Sequence, residues 1–297
     1  MATSQETAFP SPVSHTFENQ AISAALGADR SAITNAEHGP AVATIMAAAE
    51  GKKVLSLDVF DTLLVRNSKP EALRYWEWSQ QVATGLGNNG NQKISAEDVL
   101  LARIEGLELS YRTRPRRDGC GEGSIHEVHQ HISSALDLGP DGLQNLMENE
   151  LAYEADNLKP NHTLLNCIRT FRGQGGRVIL VSDMYLGAAE IKQLVARLVP
   201  EDHELISAIY SSADHIYSKR SGRLYGTVED DLNLPGEAFL HMGDSFEGDV
   251  SQARASGWAA LHLPISAIEL AERSKHLKAF VEAMHARGLD VSRWAKL

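Results

Sequence analysis

VLSLDVF, residues Val54 to Phe60, is a short apolar run interrupted by a single charge, Asp58. Its length and content read as a buried strand, and the DTLL that follows Phe60 begins a turn. Four more runs of the same kind lie downstream: RVILVS (Arg177–Ser182), LISAIYSS (Leu205–Ser212), AFLHMGD (Ala238–Asp244) and WAALHL (Trp258–Leu263). The spacing between them predicts helices over Gly187–Val199, Leu224–Leu232 and Gly248–Ser256. Strand–helix alternation predicts an α/β fold, a five-stranded parallel sheet with helices on both faces. Asp58, Asp183 and Asp244 each stand at or just after the C-terminal end of a strand. Open parallel sheets bind their ligands at that edge. One acidic residue there is ordinarily a cap or turn former; three, with a lysine among them, predict a site.

Between the first strand and the rest, from about Pro70 to Lys159, the pattern turns helical. Ser95 and Asp98 form a capping-box signature, after which Leu100, Ile104, Leu107 and Tyr111 share one helix face. Ser124 and Glu127 repeat the signature ahead of Val128, Ile132 and Leu136, and Pro140–Leu158 reads as another helix. Residues 1–50, rich in Ala, Ser, Thr and Asn, read as a loosely ordered polar extension, and the tail from Ile265 as a charged amphipathic helix.

Composition narrows the function. Of 297 residues, 43% are hydrophobic and 23% charged, an ordinary globular usage. The net charge of −11 disfavours nucleic acid or an anionic membrane as partner. Cys120 and Cys167 are too few for a disulfide framework or a thiolate zinc site, and they suit a reducing compartment. No apolar run reaches the roughly 18 residues of a membrane span, and the N-terminus lacks the pattern of a signal peptide. The expected location is the cytoplasm.

The core, residues 52–66 and 160–263, resembles the haloacid dehalogenase superfamily of hydrolases. Four stretches carry the resemblance in order: LSLDVFDTLL, VILVSDMYL, SKRSGRLY and HMGDSFEGDV. More narrowly they are similar to predicted hydrolases of bacterial polysaccharide and glycosyltransferase systems. The resemblance implies a Rossmann-like core over 51–66 and 160–265, an inserted all-helical cap over 67–159 and a C-terminal helix over 266–297. It implies Asp58 as nucleophile, with Ser182 and Lys219 completing the catalytic set. Ser182, Asp183 and Arg66 are the expected substrate contacts. Mg²⁺ is the expected cofactor, held by Asp58, the carbonyl of Phe60, Asp244 and Asp249. The implied activity is hydrolysis of a small phosphorylated metabolite, a sugar or polyol phosphate, through an aspartyl-phosphate.

One position departs from the family pattern. Phosphatases of this kind carry an aspartate two residues after the nucleophile as acid and base; here Phe60 stands there and Asp61 follows. Another group, such as Asp61, Asp183 or a cap residue, then donates the proton; or the leaving group needs none; or the domain only binds. An aromatic residue here resembles the dehalogenase branch, but the two acids of HMGDSFEGD suit a cation better. Elsewhere, His126, His129 and His131 read as a surface helix rather than a metal site. Arg112, Arg114, Arg116 and Arg117 read as a solvated loop or an anion-recruiting one. Tyr75, Trp76 and Trp78 read as packing, and TGLGNNGN as a flexible loop.

Overall fold

The computed structural model describes residues 39–86 and 94–295. Residues 1–38 of the expected extension, and most of the TGLGNNGN loop, lie outside the described residues. Five strands, β1 (Val54–Leu57), β4 (Arg177–Ser182), β5 (Ile206–Ser211), β6 (Phe239–Gly243) and β7 (Ala259–His262), form one sheet in the order β5-β4-β1-β6-β7. Every pairing is parallel. This doubly wound order reverses direction between β1 and β6, and the crevice at such a switch point is where these sheets hold ligands.

The strands alternate between two cores, as a period of two requires. Leu55 and Leu57 of β1, Val178 and Leu180 of β4, and Leu240 and Met242 of β6 face one core. Helices α1 (Gly39–Ala48), α6 (His162–Gly173) and α7 (Ala188–Leu198) cover it. Val54, Ile179, Val181 and Phe239 face the other, beneath α9 (Arg223–Leu232) and α10 (Gln252–Ala255). Thus α1, inside the expected polar extension, buries Ala41 and Ile45 in the core.

A short antiparallel pair, β2 (Leu64–Arg66) with β3 (Leu158–Pro160), marks where the chain leaves and re-enters the sheet region. Between them lie α2 (Glu71–Leu86), α3 (Ala96–Thr113), α4 (Ile125–Ala135) and α5 (Gly142–Asn157). Ser95 caps α3 with the reciprocal capping box its sequence predicts. Ser124 does not cap α4 with its side chain. Its expected partner Glu127 instead accepts from Ser110 Oγ at 2.5 Å and pairs with Arg114 at 3.1 Å, so a tertiary contact outcompetes the local one. His129 is fully buried, stacked on Trp78 with ring centroids 5.7 Å apart, and is not a surface residue; His126 is exposed. Tyr75, Trp76 and Trp78 are buried.

The C-terminal helix is α11 (Ala267–Ala286), shorter than the tail suggests. After it, the chain folds back so that Val291 is buried and Trp294 donates to Glu108 of α3 at 2.7 Å. Phe280 and Met284 pack with Tyr75, Trp76, Leu100 and Ile104. Among the described residues no helix is long and apolar enough to cross a membrane.

Candidate active site

The crevice between β1 and β6 gathers four stretches of sequence. Asp58 follows β1 directly, and its N–H donates to Met242 of β6 at 2.8 Å, extending the ladder by one bond. The loop then tightens: Leu64 N–H reaches Val59 O at 2.7 Å and Asp61 N–H reaches Leu64 O at 2.9 Å. Asp61 takes φ +61° to make this turn. Aspartate tolerates that left-handed region better than most residues.

Lys219 arrives from β5 by way of α8 (Ser212–His215) and a loop. The Asp183 carboxylate, at the end of β4, anchors this loop by accepting Lys219 N–H at 2.6 Å and Arg220 N–H at 3.1 Å. The Lys219 ammonium, 3% exposed, lies 2.5 Å from Asp58 Oδ1 and 2.6 Å from Asp249 Oδ1. Asp249 sits in a π-helical turn, Phe246–Ser251, entered through Ser245. Ser245 N–H donates to Asp249 Oδ2 at 2.9 Å. Gly243 is required beside it: a Cβ there would fall 2.1 Å from that same oxygen. Behind Asp249, His241 Nε2 lies 3.1 Å from Asp249 Oδ1 and His241 Nδ1 lies 2.8 Å from Ser56 Oγ. Ser56 and His241 are register partners on β1 and β6 and point to the same face. A neutral imidazole with its hydrogen on Nε2 satisfies both neighbours, accepting from Ser56 and donating to Asp249.

Charge is concentrated here. Carboxylate oxygens of Asp58, Asp244 and Asp249 all lie within 4.8 Å of one another. Burial, reinforced by Asp249 and Asp244, pushes the Asp58 carboxyl up to about 8 against the pull of Lys219. Burial also opposes the ionised form of Asp249, but Lys219 and His241 more than offset it and hold that carboxyl low. Burial alone would discharge Lys219; Asp249 and Asp58 reverse this and keep it cationic. Three close carboxylates with one ammonium between two of them leave an excess of negative charge and hard oxygen donors. Such a donor set fits a divalent cation of the magnesium type.

No known family profile matches the sequence, and no curated protein matches it. Solved structures do, at low identity. A haloacid dehalogenase (HAD)-family enzyme from Bacteroides thetaiotaomicron aligns at 14% identity over 72% of this chain and 94% of that one, with a TM-score of 0.49. A structure of that enzyme with magnesium and inorganic phosphate aligns at 14% over 71% and 94%, with a TM-score of 0.48. A 2-haloacid dehalogenase from Pseudomonas syringae aligns at 13% over 71% and 86%, with a TM-score of 0.47. The chain is similar in fold to the HAD-family hydrolases.

The residues singled out from sequence share one cavity of about 280 Å³. Asp58, Phe60, Ser182, Asp183, Lys219, Asp244 and Asp249 all line it. Arg66 lines it too, its guanidinium 4.3 Å above the Phe60 ring and 3.7 Å from Glu154. Three participants went unread in the sequence. Arg273 of α11 forks Asp61, with Nη2 to Oδ1 at 2.7 Å and Nη1 to Oδ2 at 3.1 Å. Glu71 and Tyr111, from α2 and α3, add to the lining of the cavity. Nothing local marks these three. His241 and Ser56 had a signal, each being a polar residue inside an otherwise apolar strand.

Proposed function

We propose that the chain is a magnesium-dependent phosphohydrolase that acts on a small phosphorylated metabolite through an aspartyl-phosphate on Asp58. One observation carries this reading: Lys219 bridges Asp58 and Asp249 while Asp244 brings a third carboxylate within 4.8 Å. A carboxylate attacking a phosphoryl group brings two anions together, a repulsion of about 4 kcal/mol at 4 Å and an effective dielectric of 20. The site is built to offset it. Lys219 stays cationic and places its charge beside the Asp58 carboxyl. Asp58, the Phe60 carbonyl, Asp244 and Asp249 would hold Mg²⁺, which supplies further positive charge to the phosphoryl oxygens.

Ser182, buried at the end of β4, offers a hydroxyl to a phosphoryl oxygen. Arg66, paired with Glu154 and stacked on Phe60, offers a guanidinium in the same cavity. Asp183 contributes through the Lys219 loop that it anchors. Residues 51–66 and 160–265 form the catalytic core and 67–159 the cap, whose Glu71 and Tyr111 line the cavity. The C-terminal helix α11 packs beside the cap, in a cytoplasmic protein.

Hydrolysis of phenyl phosphate tests the reading, with and without Mg²⁺, in wild type and Asp58→Asn. Metal-dependent turnover that the substitution abolishes supports it. Complete inactivity across a broad panel of phosphorylated metabolites replaces it with a binding domain, as Phe60 allows. Chloride release from 2-chloropropionate without metal replaces it with a dehalogenase.

A further inference from the structure

The helical block holds a second cavity of about 470 Å³, within the size range of small-molecule sites. Its walls come from α2, α3 and the C-terminal segment, with Tyr75, Leu100, Ile104, Phe280 and Trp294 among them. Glu71 and Tyr111 line this groove and the Asp58 cavity alike, so the two spaces adjoin across those side chains. A group anchored at Asp58 therefore has an aromatic-walled space next to it.

An independent observation concerns protons. Phe60 has none to give. Both oxygens of Asp61 accept from Arg273, and both oxygens of Asp183 accept backbone N–H groups. Lys219 is locked between two carboxylates. Tyr111 and Tyr185, the phenols of the cavity, are pushed up by burial. Glu71 accepts the Tyr75 hydroxyl at 2.5 Å. The lining is thus poor in acids for a departing alkoxide, and Glu122, a carboxyl raised by burial beside Asp183, lies outside it.

Resting on the phosphohydrolase reading, we infer that the substrate is an aryl phosphate, its aromatic body seated in the groove and its phosphoryl group at Asp58. An Asp58 oxygen forms a bond to phosphorus as the P–O(aryl) bond breaks. The electron pair stays on the phenolate oxygen, which takes a proton from water after leaving. Water then attacks phosphorus and the Asp58 carboxylate leaves with its electron pair; one of the water's protons stays on the departing phosphate and the other neutralises the hydroxide left when the phenolate was protonated. A phenol, with a pKa of about 10, departs unaided far more readily than an alkoxide, whose conjugate acid is nearly as weak as water at about 15.7. Sugar and polyol phosphates are therefore the esters this arrangement serves least. General-acid help is worth about 10²–10⁴-fold, and that is the discrimination expected against them.

The test compares kcat/KM for 1-naphthyl phosphate, acetyl phosphate and glycerol 3-phosphate with Mg²⁺ in wild type, Ile104→Trp, Leu107→Trp and Glu71→Gln. Calorimetry of 1-naphthyl phosphate binding to Asp58→Asn, alone and combined with Ile104→Trp, reads the groove without turnover. The expected result is naphthyl over glycerol phosphate by about 10²-fold or more. Filling the groove lowers the naphthyl-to-acetyl ratio at least about tenfold and weakens naphthyl phosphate binding by the same factor, a change worth about 1.4 kcal/mol. Glycerol phosphate turned over within tenfold of naphthyl phosphate overturns the inference and leaves the hydrolase reading intact. So does naphthyl binding that ignores Ile104→Trp, or loss of glycerol phosphate turnover in Glu71→Gln, which would name Glu71 as the acid. Hydrolysis of none of the three by wild type overturns the inference, and the hydrolase reading then falls only if the broad panel of phosphorylated metabolites is inactive as well.

Discussion

Asp58, Lys219 and Asp249 form a buried chain whose members depend on one another. Burial holds Asp58 near 8, so the metal-free folded state keeps a proton that the unfolded chain has released above its ordinary value of 3.8. That contribution to stability is present in full below about 3.8 and is lost as pH rises through about 8. Metal-free wild type should therefore lose stability relative to Asp58→Asn across this window, by up to about 1.4 kcal/mol per pH unit. Thermal denaturation of both proteins in chelator at pH 5 and pH 8.5 measures it, and parallel curves would contradict it. Removing the cation has the opposite character. Lys219→Met strands the buried Asp249 carboxylate, and breaking a buried pair costs about 3–5 kcal/mol. Lys219→Arg should not restore activity, because a planar guanidinium does not reproduce a point charge held 2.5 and 2.6 Å from two oxygens. Urea denaturation and steady-state turnover separate the two effects.

At the scale of elements, the π-helical turn after β6 brings Asp249 back onto the strand end it has just left. Such wide turns often mark functional sites, and here the close approach leaves no room for a side chain at residue 243. Gly243→Ala would put a Cβ 2.1 Å from Asp249 Oδ2. Overpacking of this kind costs about 1–3 kcal/mol, and displacing Asp249 should also remove metal-dependent turnover; denaturant midpoint and activity check both. This turn shows where the sequence was legible. GDSFEGD brings Asp244 and Asp249 to one strand end because short-range spacing fixes them, and the five strands were readable because each is a short apolar run, the central β1 and β6 buried throughout. The three-residue pair β2–β3 was not, since Leu64–Arg66 and Leu158–Pro160 carry no period and meet across more than ninety residues. Arg273 was illegible for the same reason: one charge among many on a polar helix, given meaning only by Asp61 more than two hundred residues earlier. Ser124–Glu127 misled in the other direction, a valid local signature overruled by Ser110 and Arg114.

For the molecule as a whole, Asp58 and Asp244 are distant in sequence and become neighbours only because the sheet reverses direction between β1 and β6. The unfolded chain cannot hold the three carboxylates together, so a divalent cation binds the folded state almost alone. Mass action then stabilises that state by about 2.7 kcal/mol at a hundred times the dissociation constant. For a chain of this size that is a rise in Tm on the order of 5 °C. The rise should vanish in Asp244→Asn, and NaCl of equal ionic strength should not reproduce it. Proton and cation compete for Asp58, which binds its proton up to about pH 8. The Mg²⁺-induced shift should therefore be larger at pH 8.5 than at pH 6, whereas loosely attracted counterions on an acidic surface would show no such dependence on one carboxylate. Calorimetric scans of wild type and Asp58→Asn at both pH values decide it: a shift that grows with pH in wild type and is flat in the variant places the cation on Asp58, and a shift equal in both proteins places it elsewhere.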